Sequence, residues 1–489
     1  MELRVVTADA QLHPDPSRLA LQLFLPGEDT HEEYSRVSII AQRILDLPEQ
    51  EVEREAARVL ASFTGEDDHL SGTLRDHAAS VAIARDPTAP ISAARTLVMG
   101  AAFTSEFAVE AAALCNPSAV PHPNQSGLKP GELRVAVALR GIGEGHISSI
   151  EFVSAVIGPG RTWTFGERNM PLVRASTESP RWSREHFLVT LEAEMRGRGV
   201  EIAHAVAQLL PAQFTLSDFE LAVRSLPAVL LRRQEAVRHL DHLRTLVEAA
   251  YRAEFPVTSH LSQRVLMPVT PDEVNGMEDA RFVLCTYPDG SQVYRATYTA
   301  YDGTHIAPRL IISPDLRHFD VHRLSGPAAK NKGMALFPRH VNGQLLALTR
   351  TDGETLGISH SEHGRVWATP QPLHRPTQLW QIIQTGNCGS PLETEHGWLV
   401  LTHGVGLMRS YSIGAILLDL DHPERVIAAL DAPLIVPEER PGYVPNVVYS
   451  CGGIIHDGML WIPYGVGDRR IGVASVGVDE LVAAMTPAA

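Results

Sequence analysis

Cysteine is scarce in this sequence of 489 residues. Cys115, Cys285, Cys388 and Cys451 are its four, far apart and without a C-x-x-C pair. That pattern excludes a zinc ribbon or a dithiol redox motif, and the density is too low for a disulfide framework. No run of roughly 18 apolar residues occurs, so no membrane span is expected. Positive charge is also short: 42 Lys and Arg stand against 57 Asp and Glu, a formal net charge of −15. A nucleic-acid binder needs a basic face for the phosphate backbone, so no nucleic-acid partner is expected. One small basic pocket for a single anion is still allowed. The opening MELRVVTADAQLHPDPSRLA lacks a basic-then-apolar secretory pattern. A cytoplasmic protein with reduced thiols is the expectation.

Common catalytic signatures are missing as well. The 22 histidines contain no H-E-x-x-H or similarly spaced ligand set, and no G-x-S-x-G elbow is present. Neither a metal nor an organic cofactor is expected. GIGEGH, residues 141–146, resembles part of a dinucleotide fingerprint. The SSIEFVSAVI that follows reads as strand, not as the helix such a loop opens, so the glycines predict a turn.

What is present is a chain of changing texture, 44% hydrophobic and long enough for two to four domains. After an N-terminal segment, 1–29, residues 30–105 read as helical. Thr30 with Glu33 fits a capping box, Pro48 suits a first turn, and Val52, Ala56, Val59 and Leu60 share one helical face. Residues 106–180 read as strand, with LRVAVALRG and SSIEFVSAVIGPG as the clearest runs. Helix returns over 181–255, with Ser217 and Glu220 as a second capping box. There Leu230, Val237, Leu240, Leu243 and Val247 fall at heptad-like spacing, which predicts a helical hairpin packed on its own chain or on a second copy.

From 256 to 489 the chain is again a series of short apolar runs between turn residues: VYRATYTAY, RLIIS, QLLALTR, GWLVLTHGV, IGAILLDL, MLWIPYGV and IGVASV. Short strands at such spacing mean a sandwich, barrel or propeller. IISPDLRHF and ISHSEHGRVW repeat one phrase of strand, Ser, turn and aromatic, with ISSIEFVSAVIGPGRTWTF a looser copy. Repetition of that kind favours propeller blades.

Polar residues gather near the ends of these runs. NGMEDAR, 275–281, packs Glu278, Asp279 and Arg281 between a turn and a strand. Neighbouring strand residues point to opposite faces, so Glu278 and Asp279 are not expected to act as a pair on one substrate. Arg350, His403, Tyr411 and Asp468 end other runs. With Asn116 and Arg140 they form a polar constellation if the strands converge on one axis.

These segments, in order, resemble glycoside hydrolase family 130, the mannoside phosphorylases and related β-mannosidases. GMEDAR is similar to the family's G-x-E-D-P-R, with Ala280 in place of the usual Pro. CNPSA, VALRG, YTAYDG, KGMALFPR, GNCGSPLETEHGWLVLTHGV, YSIGAILLDLDHPERVI, YVPNVVYSCGG and YGVGD follow the family's sequence of segments. The resemblance covers roughly 110–180 and 260–480.

The resemblance implies a mainly β fold: a five-bladed β-propeller, with 30–105 as a helical region and 181–255 as a helical insertion between the first and second blades. It implies inverting phosphorolysis of β-mannosides by inorganic phosphate, releasing α-mannose 1-phosphate. Asp279 matches the proton donor, acting through the sugar's 3-hydroxyl. Asn116, Arg140, Arg281 and Asp468 match sugar-site positions. Arg350, His403 and Tyr411 match phosphate-contacting positions. Gln384 stands where the phosphorylases commonly carry Lys, and Lys332 or Arg409 is a substitute for that charge. Expected partners are a mannose-containing oligosaccharide and phosphate, with a homodimer through the helical additions. The alternatives are a β-mannosidase, a mannosyltransferase of the same fold and a non-catalytic sugar-binding propeller. A hydrolase would need a second carboxylate, and Glu354 and Glu393 are the local acids to place.

Overall fold

Strands form where Val, Ile, Leu and Thr run together between Gly, Asn and Asp turns. In the computed structural model, which describes residues 3–26, 36–62, 67–82, 91–194, 199–232, 235–437 and 442–488, every apolar run named above lies on a strand. The chain is mainly β with helices, and most of its antiparallel pairing falls into five groups, the first two joined in one sheet by the parallel pairing of Gly276 with Ser148. The first holds Ala113–Pro121, Leu133–Ile142, Ser148–Gly158 and Thr162–Phe165. The second holds Gly276–Thr286, Gln292–Tyr301, Ile306–Ser313 and His318–Arg323. The third runs Ala335–Leu336, Leu345–Thr349, Leu356–Ser361 and Gln371–His374. The fourth runs Gln384–Asn387, Gly397–Val405, Tyr411–Leu418 and Val426–Ala429. The fifth has Val448–Tyr449, Met459–Val466 and Arg470–Gly477, and its last strand pairs with Val6–Thr7 from the other end of the chain. No sheet closes on itself among the described residues.

The repeated phrase has a physical meaning. In each copy a tight turn is followed by an aromatic that is buried: Phe319, Trp367 and Trp163. In the two closer copies the serine holds the turn. Ser313 Oγ accepts from the Leu316 amide at 2.8 Å, and Ser361 Oγ from the Gly364 amide at 2.9 Å. GIGEGH ends one strand at Ile142 and makes a 3-10 turn over Glu144–His146 before the next strand, the turn that its glycines predict.

Two compact units divide the chain. One comprises Met1–Asp15, Glu110–Arg168 and Ala175–Ala489; the other comprises Pro16–Val109 and Asn169–Arg174. The smaller unit has the strand pair Leu19–Leu23 and Thr104–Ala108 with the helices Arg36–Leu45, Glu49–Ser62, Asp67–Ala82 and Ala93–Ala102. Pro48 precedes its helix, and its carbonyl accepts the first helical bond from Val52 at 3.1 Å. Thr30 and Glu33 lie outside the described residues.

Residues 181–255 depart from the expectation in three ways. The helix Leu216–Arg224 is capped by Thr215, whose hydroxyl accepts from the Asp218 amide while the Asp218 carboxylate accepts from the Thr215 amide; Ser217 is inside the helix. Glu220 instead accepts from Arg244 Nε at 2.6 Å. The heptad-like face is interrupted, because Leu230 belongs to the short helix Ala228–Leu231 and Val237 is 68% exposed. The buried seam of Ala236–Glu248 is Ala236, Leu240, Leu243, Leu246 and Val247, which joins Trp182, Phe187, Phe214 and Phe219 in a separate core. Finally, Tyr251–Glu254 is a strand that pairs with His318–Arg323 and so extends the second group.

Gly100 allows the helix Ala93–Ala102 to press on the helix Asp67–Ala82: a Cβ there would overlap the Leu74 carbonyl. Ala gains about 1 kcal/mol over Gly in helix propensity, but overpacking typically loses about 1–3 kcal/mol. Gly100→Ala is therefore expected to lower stability in urea unfolding followed by circular dichroism. A more stable variant would show that the two helices are not locked at this contact.

Candidate active site

Twelve non-glycine residues adopt the left-handed backbone region among the described residues, and six of them line one cavity: Asn116, Asp279, Met408, Arg409, Asn446 and Asp468. Such residues are uncommon outside functional sites, and Asn and Asp tolerate the conformation best. The cavity measures about 520 Å³, a volume that suits a small ligand. Lys332, Arg350, Gln384, His403 and Tyr411 also face it, with a wall from Val444 to Val447 and Tyr449.

Two β-bulges aim its key side chains. Pairing slips between Cys115 and Ser118, leaving Asn116 at φ +50°, and between Glu278 and Arg281, leaving Asp279 at φ +58°. A bulge inserts an extra residue and re-aims what it carries. It lets Glu278 and Asp279 reach the same guanidinium, while only Asp279 of the two lines the cavity, in keeping with neighbours that do not act as a pair on one substrate. Arg140 donates from Nη1 to Asp279 Oδ1 at 2.9 Å and from Nη2 to Glu278 Oε1 at 2.6 Å. Its Nε donates to Ser148 Oγ at 2.9 Å, which fixes the fork. The other Glu278 oxygen pairs with Lys332, and Asn116 Nδ2 donates to Asp279. Arg281 is 2% exposed and donates from Nη1 to the Asp279 carbonyl at 2.9 Å and from Nη2 to the Tyr449 hydroxyl at 3.0 Å. Arg140 and Arg281 thus brace Asp279, whereas Asn116, Asp279 and Asp468 face the cavity directly.

Burial opposes ionisation of Asp279, but the charges of Arg140, Lys332 and Arg281 and the Asn116 bond outweigh it, and its carboxyl is held well below the usual range. Asp468 moves the other way. Burial raises it most, Arg140 opposes, and the Asp279 charge adds, so it is pushed up to about 6. Two carboxyls in one cavity therefore hold protons very differently.

Arg350, His403, Tyr411 and Gln384 share the cavity with Asp279. Arg350 Nη1 donates to His403 Nε2 at 2.6 Å. Burial, with the charges of Arg350 and Arg281, lowers the His403 imidazole well below its usual range, so the partner of Arg350 is neutral. No carboxylate pairs with Arg350 among the described residues, and its Nε has no partner. Arg409 Nη2 donates only to the Tyr411 hydroxyl, at 3.4 Å. This end of the cavity can receive an oxyanion on guanidinium forks. Lys332 and Arg409, the two substitutes named for the missing lysine, both line it. Glu393 is elsewhere, in a two-pronged pair with Arg339 at 2.8 and 2.5 Å, and Glu354 is exposed. Met408 and Asn446 went unnoticed in the sequence; a Pro-Asn step inside YVPNVVY was the available turn signal for the second.

The family model described as β-1,4-mannooligosaccharide phosphorylase matches residues 249–486. A 1,2-β-oligomannan phosphorylase of Thermoanaerobacter sp. (strain X514) is 32% identical over 230 residues, covering 45% of this chain and 75% of the relative. A β-1,2-mannobiose phosphorylase of the same organism is 34% identical over 225 residues, covering 44% and 72%. The solved β-1,2-mannobiose phosphorylase from Listeria innocua, in complex with β-1,2-mannobiose, aligns over 77% of this chain and 92% of its own, with 19% identity and a TM-score of 0.44.

The two carboxyls give a pH dependence with a definite sign. Sulfate keeps its charge between pH 5 and 8, and His403 stays neutral there. As pH rises through about 6, Asp468 gains a negative charge in the cavity that would hold the anion. Sulfate affinity measured by calorimetry is expected to fall, on the order of tenfold, and to stay flat in Asp468→Asn. An equal fall in that variant would remove Asp468 as its cause.

Proposed function

The chain belongs to glycoside hydrolase family 130, and from that premise we propose that it is a glycoside phosphorylase that cleaves β-mannosides with inorganic phosphate. Phosphate rests on Arg350 and Arg409, with Tyr411 and Gln384 as further donors. One phosphate oxygen attacks the anomeric carbon of a terminal mannosyl unit while the bond to the aglycone oxygen breaks. Asp279 supplies the proton through the sugar's 3-hydroxyl, and inversion yields α-mannose 1-phosphate. Asn116 and Asp468 hold the sugar, and Arg140 and Arg281 keep Asp279 in place.

The observation that carries this reading is a carboxylate and an unneutralised guanidinium, Asp279 and Arg350, facing one cavity. An inverting hydrolase needs a base across the sugar ring, about 6.5–9.5 Å from the acid. Glu354 and Glu393 do not line the cavity, and Asp468 feels Asp279 and Arg140 directly, which puts it on the acid's side. A phosphate nucleophile needs no such base.

The same reading takes the five strand groups as the blades of a propeller, with Val6–Thr7 completing the last blade. It takes 181–255 as an insertion after the first blade, and the exposed Leu221, Val229 and Val237 of that insertion as a homodimer contact. Light scattering on the full chain should give twice the chain mass; a monomer at micromolar concentration rules the contact out.

The decisive assay incubates the protein with short β-mannosides, with and without phosphate. Mannose 1-phosphate is expected only with phosphate, and Asp279→Asn should lose on the order of 10³-fold in kcat with an unchanged melting temperature. Equal free mannose in both tubes, without sugar phosphate, would mean hydrolysis.

A further inference from the structure

A proton donor must be protonated when the substrate is in place, yet Asp279 in the free protein is ionised and braced by cations. Glu278, which lies beside it but does not line the cavity, contacts both of the cations that matter. Its Oε2 pairs with Lys332, its Oε1 accepts from Arg140 Nη2 at 2.6 Å, and Arg140 Nη1 holds Asp279 at 2.9 Å. The four side chains form one charge chain from the cavity to the acid. Lys332 is its accessible end: its side chain is 35% exposed, against 9% for Glu278, 18% for Arg140 and 13% for Asp279.

We propose that Glu278 is a positioning residue that couples phosphate arrival to protonation of Asp279, through Lys332 on one side and Arg140 on the other. The proposal rests on the phosphorylase reading. When phosphate enters, the Lys332 ammonium turns from Glu278 to the anion. Glu278 is left with Arg140 alone and draws the guanidinium toward itself. Asp279 then loses part of its bond to Arg140, and the phosphate neutralises the field of Lys332. Both changes raise its affinity for a proton.

The proton arrives with the nucleophile. Dihydrogen phosphate gives one proton to the Asp279 carboxylate and attacks as hydrogen phosphate. The C1–O bond to the aglycone breaks, its electron pair staying on the aglycone oxygen. That oxygen takes the 3-hydroxyl proton, and Asp279 returns its own to the 3-oxygen. Mannosyl hydrogen phosphate, the free aglycone alcohol and the ionised Asp279 remain, so protons and charge balance with no further reactant. No other group facing Asp279 can play the part of Glu278. Asn116 is neutral and Arg281 is fixed on Tyr449. Asp468 bonds neither cation among the described residues. Burial keeps Cys115, Cys451 and His403 uncharged.

Two variants have opposite signatures in the pH profile of kcat, whose alkaline limb follows loss of the acid's proton in the bound state. Glu278→Gln leaves Arg140 and Lys332 to Asp279, so the limb should move to lower pH by about one unit. Its kcat at pH 7 should fall about tenfold or more, while KM for phosphate stays level or drops. Lys332→Met removes a cation, so the limb should move to higher pH while KM for phosphate rises. A merely structural role for Glu278 would lower melting temperature and kcat at every pH without moving the limb. Limbs that stay put, or move the same way in both variants, overturn the coupling. If Glu278→Gln does not fold, Lys332→Met alone decides: an unmoved limb in that variant rejects the proposal. Should wild-type protein form no sugar phosphate at all, the phosphorylase reading itself has failed, a result distinct from any shift in these profiles.

Discussion

Arg140 divides its fork between two consecutive carboxylates, and the site is organised around that division. Residues next to each other on a regular strand face opposite ways. Only the bulge at 278–281 lets Glu278 and Asp279 meet one guanidinium. Arg140 is itself anchored by Ser148 on the neighbouring strand, so the donors stay fixed in a plane. Bonds of this kind, with both partners charged and mostly buried, are stronger than neutral ones and more costly to break. Asp279 is therefore held in place by the scaffold itself.

The strands supply rigidity and their ends supply chemistry. Gly397–Val405 is buried along its whole length, and it carries His403 to the cavity with little freedom to move. Around the rim the backbone turns left-handed at six positions, four of them Asn or Asp. These residues put polar side chains where a regular strand would carry them past the cavity. Strain of this sort persists only where the surroundings over-determine it, and at Asn116, Asp279, Met408, Arg409 and Asp468 paired strands on either side do so.

The sequence reveals the strands better than the site. Val-, Ile- and Leu-rich runs between turn residues mark burial and pairing directly, and each run named from the text lies on a strand. The ordered segments around Asp279, Arg350, His403 and Tyr411 also mark which residues gather. What escapes is whatever depends on one residue's worth of register. Nothing in GMEDAR announces a bulge, so the guanidinium shared by Glu278 and Asp279 is not legible there, although only Asp279 of the two lines the cavity, as alternation along a strand suggests. Thr215 and Asp218 supply a capping box as good as that of Ser217 and Glu220, and packing decided between them. Val237 fits a heptad on paper, but one helix ends at Leu231 and another starts at Ala236, with Val237 on its exposed side.

In the phosphorylase reading, charge balance favours an anionic nucleophile over water in this cavity. Lys332 is offset by Glu278, and Arg140 by Glu278 and Asp279. Arg350 has no such offset. Its partner is a neutral imidazole, which accepts a hydrogen bond but contributes no charge. A partly buried guanidinium without a counter-charge is unfavourable by several kcal/mol in order of magnitude. A water molecule at that position leaves the imbalance in place, whereas phosphate removes it. In the proposed reading, the free energy released by neutralising Arg350 is thus realised where the nucleophile sits. Binding energy spent on holding the attacking oxygen in line lowers the entropy barrier of the chemical step. Gln384 is a neutral amide and adds no charge to that pull, whereas Arg409 and Lys332 face the same space.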